Sequence, residues 1–585
     1  MVDVTTGSSA PQARPEVAAL IANPRARVLV LGGGINGIAT FRDLALQGVD
    51  VVLVERGDYC SGASAASSHM IHGGVRYLEN GEFRLVRESV QERNRLLRLA
   101  PHYVKPLKTT IPIFSTFSGI LSAPLRFLTH KQRGNPKERG ALLIKVGLTG
   151  YDSFSRDGGN VPRHRFAGAA SSRRNFPELR SDVKYTATYF DAAVVNPERL
   201  ALDLVADARA TGSHARSANY VEAIGTTPTG VLLRDVVTGQ EFAVDADVVI
   251  NTTGPWTDMT NSALGTPSTF MGGTKGSHIV LDNPELFAAC NGGEVFFENN
   301  DGRIVLIYPL NGKVLVGTTD LEADITEPAV CTDEEVEYFF ELVTHVFPKI
   351  AVDRSQIVFR YSGIRPLPRH DDTAPGFVSR DYRIERSELA AGAAHSVPML
   401  SVVGGKWTTF RALAEHITND TLAILGEKRT VSTESLAIGG GVGFPAEGPA
   451  QKAWVSANSS SVSTERGLAL LARYGTGAAS VMTGIAGRGD AMLEHVPGFS
   501  VGELAHISST ESVVHITDIV LRRTTVAFVG GLTQAAFDEI SALMADTLGW
   551  SPEQHDAERV FAVDELSRLH GLTLVAAATS SSRAA

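Results

Sequence analysis

Residues 28–37 read Val28-Leu29-Val30-Leu31-Gly32-Gly33-Gly34-Ile35-Asn36-Gly37, and a helical run to Gln47, then Gly48, a second apolar strand Val51-Val52-Leu53-Val54 and Glu55 follow. Strand, glycine turn, helix, strand and acid in this order make a dinucleotide-binding βαβ unit. Gly32 lets the chain turn tightly, Gly34 lets the backbone approach a pyrophosphate, and Gly37 lets the helix pack closely on the sheet. Free N–H groups and the dipole at the helix N-terminus favour the phosphates. Glu55 stands where a carboxylate accepts both hydroxyls of a ribose. That favours an unphosphorylated ribose, hence FAD or NAD rather than NADP.

The next residues separate FAD from NAD. Asp58–Tyr77 reads DYCSGASAASSHMIHGGVRY, a long loop of small and hydroxyl residues in place of a short link to a third strand. Small residues let backbone lie against a flat ring, and Ser61, Ser64, Ser67 and Ser68 offer hydroxyls to phosphate and ring heteroatoms. His72, Arg76 and Tyr77 add a titratable group, a fixed cation and a phenol. Cys60 is read as a small packing residue.

The run Ser67-Ser68-His69-Met70-Ile71-His72-Gly73-Gly74-Val75-Arg76-Tyr77-Leu78-Glu79, with the helix beginning Glu82-Phe83-Arg84-Leu85, resembles the signature of FAD-dependent glycerol-3-phosphate dehydrogenases of the aerobic, quinone-linked type. The resemblance continues from about Arg27 to beyond Arg523. It implies an α/β FAD-binding Rossmann-like fold of the glutathione-reductase/amino-acid-oxidase type, with an inserted mixed β-sheet substrate domain and a C-terminal α-helical domain. The expected division is a mobile tail at 1–24 with a short helix near Glu16–Ile21, an oxidoreductase domain at 25–438, a helical domain at 439–570 and a tail at 571–585. FAD-binding pieces are expected at 25–110, 185–260 and 370–430, and the substrate domain at 261–369 with 111–184 peripheral to it.

The chain has 585 residues, 43% hydrophobic and 20% charged, which suits two or three globular domains. A net charge of -10 argues against a general nucleic-acid binder. The 3 cysteines are far apart, so neither a zinc site nor a disulfide framework is expected. Neither a secretory signal nor a transmembrane run is expected. Ile111–Leu128 is apolar but broken by Pro112, Gly119 and Pro124, and basic residues follow it to Lys145. This combination suits contact with anionic lipid through 111–145 as well as an internally packed loop with a solvated basic tail. The resemblance tips the expectation to a cytoplasmic protein lying peripherally on the inner face of the cell membrane. A homodimer is also expected.

Farther along, Asn196-Pro197 opens a helix to Thr211, and Ala246–Asn251 runs into Thr252-Thr253-Gly254 as a buried strand with a tight turn. Gly302–Pro309 and Lys313–Asp320 form a hairpin at Asn311-Gly312. Leu400–Arg411 repeats the pattern of strand, glycine turn and helix. Helices are expected at 81–100, 463–474, 501–522, 533–548 and 552–570.

By resemblance, Arg365 and Arg380 bind a substrate phosphate, for which the planar arginine fork is suited. Arg76 lies near phosphate or hydroxyls, and Lys406 binds a substrate hydroxyl or polarises the forming ketone. His72 accepts the hydroxyl proton or holds the flavin. FAD contacts are assigned to Gly32, Gly34, Gly37, Glu55, Ser61, Ser67, Ser68, Gly73, Gly74, Val221, Gly254, Gly404, Lys406 and Thr408. The implied reaction takes sn-glycerol 3-phosphate to dihydroxyacetone phosphate, with hydride to flavin and electrons on to quinone. Ala66 and His69 depart from the arginine and lysine that the family usually has there, which is expected to alter charge near flavin and substrate. Asn196-Pro197 replaces two adjacent acids, and Trp407 replaces an aliphatic residue. Another polyol phosphate such as erythritol phosphate, an oxygen-using amino-acid or hydroxy-acid oxidase, and a flavin-binding scaffold without turnover are the alternatives.

Overall fold

The structure is a computed structural model and describes residues 14–74, 83–115, 141–154, 162–298, 304–369, 381–389, 396–459 and 461–576. Strand β1 (Arg25–Leu31) lies between β10 (Glu241–Asn251) and β2 (Val51–Val54), all parallel. Parallel pairing continues from β2 to β7 (Ala215–Ala218) and from β10 to β18 (Val397–Val403). β17 (Arg383–Leu389) adds an antiparallel edge, and β8 (Val221–Thr226) and β9 (Gly230–Asp235) form a ribbon paired with β10. The inner strands are apolar without alternation because both faces are covered. The helices Ile35–Leu46, Pro197–Arg209 and Phe410–Leu425 pack on one face. The helix Pro15–Ala22 packs on the other, where its Val17 and Leu20 are fully buried. The Arg14 guanidinium donates to Asn219 O at 2.7 Å and Asp235 Oδ1 at 3.1 Å. Residues 14–24 are therefore part of the first domain's core, which corrects their assignment to a mobile tail.

The second sheet has ten strands in the order β15-β11-β14-β13-β12-β4-β6-β3, with β16 beside β11 and β5 beside β6. They are β3 (Met70–Ile71), β4 (Val104–Ile113), β5 (Arg165–Gly168), β6 (Tyr185–Val194), β11 (Met271–Leu281), β12 (Glu294–Glu298), β13 (Ile304–Leu310), β14 (Lys313–Gly317), β15 (Leu321–Glu322) and β16 (Ile357–Pro368). β4 and β6 form an antiparallel ladder from Val104↔Val194 to Ile113↔Tyr185. This places 104–110 and 185–194 in the substrate sheet, which corrects their assignment to the FAD-binding pieces. The hairpin β13–β14 turns at Asn311 (φ 51°) and Gly312 (φ 78°), the left-handed pair that matches strand twist.

Both faces of this sheet are buried. In β14, Val314 and Val316 point to a core shared with the helix Asp333–Val346, and Leu315 points to a core shared with the C-terminal helices. The C-terminal domain is thus the cover of the sheet's second face. The expected single helix 501–522 is instead Val501–Thr510, then a short turn Ile516–Asp518 running into a π-helical turn Ile519–Arg523. The break occurs where Ser512 is left-handed (φ 52°) and Asp518 Oδ2 accepts from the backbone N–H groups of Val514 (2.8 Å) and His515 (3.0 Å). Local capping outcompetes continuation of the helix.

Candidate functional site

A cleft of 580 Å³ starts at the first glycine turn and runs between the ends of β2, β8 and β10 to Trp256. Gly32 has φ +104°, and a Cβ there would sit 2.8 Å from the Thr252 carbonyl. A Cβ on Gly37 would lie 1.9 Å from Gly32 O and 2.4 Å from Thr252 Oγ1. The glycines therefore permit the turn and the contact between helix and strand, as their spacing predicts. Thr252 closes the turn by donating its hydroxyl to Leu31 O at 2.8 Å.

Glu55 lines this cleft with one carboxylate oxygen accepting from Gly33 N–H at 2.5 Å and the other from Gly57 N–H at 2.8 Å. Burial raises its pKa, partly offset by those two bonds. Gly34, Ser61, Val221 and Gly254 line the same cleft. The Val221 N–H is engaged by Glu55 O at 2.7 Å. The helix at Ile35 begins with Gly34, which has no side chain to cap it, and Ser64 Oγ accepts the Ile35 N–H at 3.0 Å. Gly34, Ile35 and Asn36 line the cleft, so the helix N-terminus, which favours an anion, borders it. Arg56 stacks over Trp256 at 4.3 Å, and the Trp256 indole donates to Ile325 O at 2.9 Å, so an aromatic wall lies opposite the glycine turn. Sequence reasoning missed this pair, since neither residue belongs to the glycine motif.

The loop after Glu55 is held from three directions. The Trp407 indole donates to Ser64 O at 2.9 Å, and Thr408 Oγ1 donates to His72 O at 3.3 Å. The Tyr361 hydroxyl donates to Ser67 O at 2.8 Å. Ser68 Oγ lies 2.8 Å from His278 Nε2, and the His278 ring stacks on Tyr361 at 4.8 Å. Burial lowers the His278 pKa well below the usual imidazole value, so the ring is neutral. At the loop's end, Gly73 N–H donates to Asp191 Oδ1 at 3.0 Å, an oxygen that also accepts from Arg93 (2.8 Å) and Tyr151 (2.5 Å). The amide of Gly73 is therefore an anchor to β6. Gly74 and Gly404 adopt φ of 78° and 88°.

Arg365 sits on β16 opposite Thr274 of β11, and its guanidinium donates to Asp320 Oδ1 (2.8 Å), Thr318 Oγ1 (2.9 Å) and Thr319 O (2.9 Å). Lys406 Nζ donates to Ser89 Oγ at 2.8 Å, beside Glu88, whose carboxyl burial raises. Arg76 and Arg380 lie outside the described residues, as does 116–140 of the expected lipid contact. Ala66 packs against Gly363, two residues before Arg365 on β16, where a Cβ on the glycine would lie 2.3 Å from the Ala66 Cβ. His69 is 4% exposed, Nδ1 is 3.2 Å from Val194 O, and its ring lies 5.2 Å from Phe528. Both residues line a second cavity on the C-terminal side of the loop.

The fold and this cleft define a class: a two-sheet flavoprotein with its nucleotide at the glycine turn and its substrate sheet behind the loop. The residues fit FAD, and when bound it supplies a ring that accepts hydride. Residues 27–411 match the family model for FAD-dependent oxidoreductases, and 431–555 match that of the C-terminal domain of alpha-glycerophosphate oxidase. A glycerol-3-phosphate dehydrogenase of Synechocystis sp. is 31% identical over 563 residues, 92% of this chain and 96% of the relative. D-erythritol 1-phosphate dehydrogenase of Brucella abortus is 34% identical over 396 residues, 66% of this chain and 72% of the relative. The crystal structure of a glycerol-3-phosphate dehydrogenase from Bacillus halodurans complexed with FAD shares the fold, with TM-score 0.70, 22% identity and coverage of 94% of this chain and 96% of that one. The chain belongs to the glycerol-3-phosphate dehydrogenase family of FAD-dependent oxidoreductases, and FAD is its cofactor.

Proposed function

We propose that the chain oxidises sn-glycerol 3-phosphate to dihydroxyacetone phosphate, with hydride passing to FAD and the electrons on to a quinone. The observation that carries this reading is the match to a dehydrogenase of that name over 92% of the chain, C-terminal domain included. The geometry supports it. Arg365, held by Asp320 and two threonines, presents a fixed cation on the substrate sheet; Arg76 and Arg380 are assigned to the phosphate from the resemblance of their sequence motifs alone. Lys406 takes the substrate hydroxyl, and His72, whose carbonyl is tied to Thr408, takes the proton. Glu55, the α-helix N-terminus at Ile35 and Ser61 hold the adenosine diphosphate; Ser67, Ser68, Gly74, Gly404 and Thr408 surround the ring.

Among the described residues no helix is long and apolar enough to cross a membrane. Ile111–Ile113 belong to β4, so a peripheral lipid contact within 111–145 falls to the residues after them, where the apolar run is followed by basic residues.

The test is anaerobic addition of glycerol 3-phosphate to the purified yellow protein. The visible flavin band bleaches, and a band that glycerol 3-phosphate leaves unchanged would overturn the reading. The 34% identity to D-erythritol 1-phosphate dehydrogenase favours one second reading, and bleaching by erythritol phosphate at lower concentration than by glycerol 3-phosphate would select it.

A further inference from the structure

The helix Asp333–Val346 is capped by Thr332 and carries Glu335 in its first turn. A capping box explains two contacts of that glutamate: Thr332 Oγ1 accepts the Glu335 N–H at 3.4 Å, and Glu335 Oε2 accepts the Thr332 N–H at 2.9 Å. A cap requires nothing more. Yet Glu335 is 4% exposed, and its carboxylate accepts three further hydrogen bonds from outside its helix. Oε2 accepts from Lys275 Nζ at 2.8 Å, and Oε1 accepts from Ser277 Oγ at 2.8 Å and Thr319 Oγ1 at 2.7 Å. Burial works against the charge, but Lys275, the Thr332 N–H and the two hydroxyls hold the carboxyl below its ordinary value, so it is an anion.

All three donors bear on the surroundings of Arg365. The Thr319 hydroxyl also accepts the Ser277 N–H at 2.9 Å, so this side chain is fixed on two sides, and the Thr319 carbonyl accepts from Arg365 Nη2 at 2.9 Å. Its chain neighbours Thr318 and Asp320 accept from the same guanidinium. Ser277 gives its hydroxyl hydrogen to Glu335, so Ser362 is the donor in the 2.6 Å contact between the two serine hydroxyls. Ser362 stands three residues before Arg365 on β16. Lys275 also donates to Val330 O at 2.7 Å. The Lys275–Glu335 pair thus clamps segment 319–330 at both ends, and the Trp256 indole pins its middle at Ile325 O. One buried carboxylate holds the frame in which the guanidinium sits.

We propose that Glu335 is a positioning residue of the reaction: through Thr319 on one side, and Ser277 and Ser362 on the other, it fixes Arg365 in the orientation that receives the substrate phosphate. The inference rests on the reading of Arg365 as a phosphate ligand. A planar fork binds phosphate well only when its N–H groups are already aimed, because freedom left in the guanidinium must be removed on binding. The phosphate is not the reacting end of the substrate. A misaimed Arg365 therefore weakens binding of substrate and transition state alike, and the loss appears in KM rather than in kcat.

The test is steady-state dye reduction by glycerol 3-phosphate in the FAD-loaded full chain, with inorganic phosphate as a competing anion. Glu335→Gln raises KM and the inhibition constant of inorganic phosphate together by roughly tenfold, with kcat within about twofold and flavin content unchanged. Thr319→Val cuts the link to Arg365 and leaves the helix cap in place; it has the same effect, and it carries the test if Glu335→Gln fails to fold. Thr332→Ala removes the cap at an exposed position and leaves Thr319 in place, so it lowers the melting temperature without moving KM. In an Arg365→Ala background Glu335→Gln adds no more than about twofold, because the group through which it acts is gone. An unchanged KM in both Glu335→Gln and Thr319→Val, a KM raised equally by Thr332→Ala, or a full effect in the Arg365→Ala background would overturn the proposal. Arg365→Ala alone reads the phosphate assignment. If it raises KM and the other two variants do not, this inference falls and that reading stands; if it too leaves KM unchanged, both fall.

Discussion

Arg365 illustrates how a single side chain acquires its role. An arginine on a strand is ordinarily a surface residue. Here its guanidinium is fixed by Asp320, Thr318 and Thr319, so little conformational freedom is lost when an anion binds. Charge-assisted hydrogen bonds contribute about 1.5–3 kcal/mol. Arg365→Ala is therefore expected to raise KM for glycerol 3-phosphate roughly 10- to 150-fold with flavin content unchanged, and Arg365→Lys to restore little, because a point charge does not reproduce the fork. An unchanged KM in steady-state dye reduction would remove Arg365 from the phosphate site. His69 and His570 make a prediction about pH. Both are held near 4 by burial, whereas an imidazole in the unfolded chain titrates near 6.5. Below 6.5 the unfolded chain takes up protons that the folded chain refuses, so their contribution to stability is complete above 6.5 and is lost as pH falls toward 4. A melting temperature that declines across that window, with a shallower decline in His570→Gln, is the expected result.

At the scale of elements, the glycine turn and its helix work as one unit with the end of β10. The Gly37–Gly32 approach leaves no room for a methyl group, and the clash is with backbone, which cannot rotate away. Gly37→Ala is expected to push the helix off β1 and β10 and to give a colourless protein, read as the ratio of visible to ultraviolet absorbance after mild purification. The flavin loop was legible as a loop of small residues, and its hydroxyls could be named. Its fasteners could not, because Trp407, Thr408, Tyr361 and His278 come from segments more than 200 residues distant. No local period announces such a contact.

For the whole molecule, the C-terminal helices are structurally part of the catalytic body. They cover one face of the substrate sheet, and a buried ionic group ties them to the start of the flavin loop. Asp58 accepts from Arg522 and from Arg523, at 2.9 Å in its Oδ1 contact, and Arg522 reaches Asp518 at 2.7 Å. All four side chains are nearly or fully buried. Removing one partner of a buried ion pair costs about 3–5 kcal/mol because the other charge stays desolvated. Asp58→Asn is expected to lower the urea midpoint by a corresponding amount and to weaken FAD retention. Equal midpoints for variant and parent would show that the network adds nothing.

The sequence by itself determined the nucleotide unit, since glycine spacing, strand–helix period and the terminal acid are local and agree with one another. It also marked the hairpin at Asn311-Gly312, where only left-handed residues serve. Only the tertiary structure decided which strands share a sheet. β4 and β6 carry apolar runs that fit either sheet, and their ten-residue ladder, with β3 added, was settled by partners rather than by composition. The same holds for burial on both faces of the second sheet. A strand such as Val314-Leu315-Val316 reads only as apolar until the covers on its two sides, a helix on one and the C-terminal domain on the other, are in place. Pairing and burial depend on distant segments, and their free energy appears only when those segments meet.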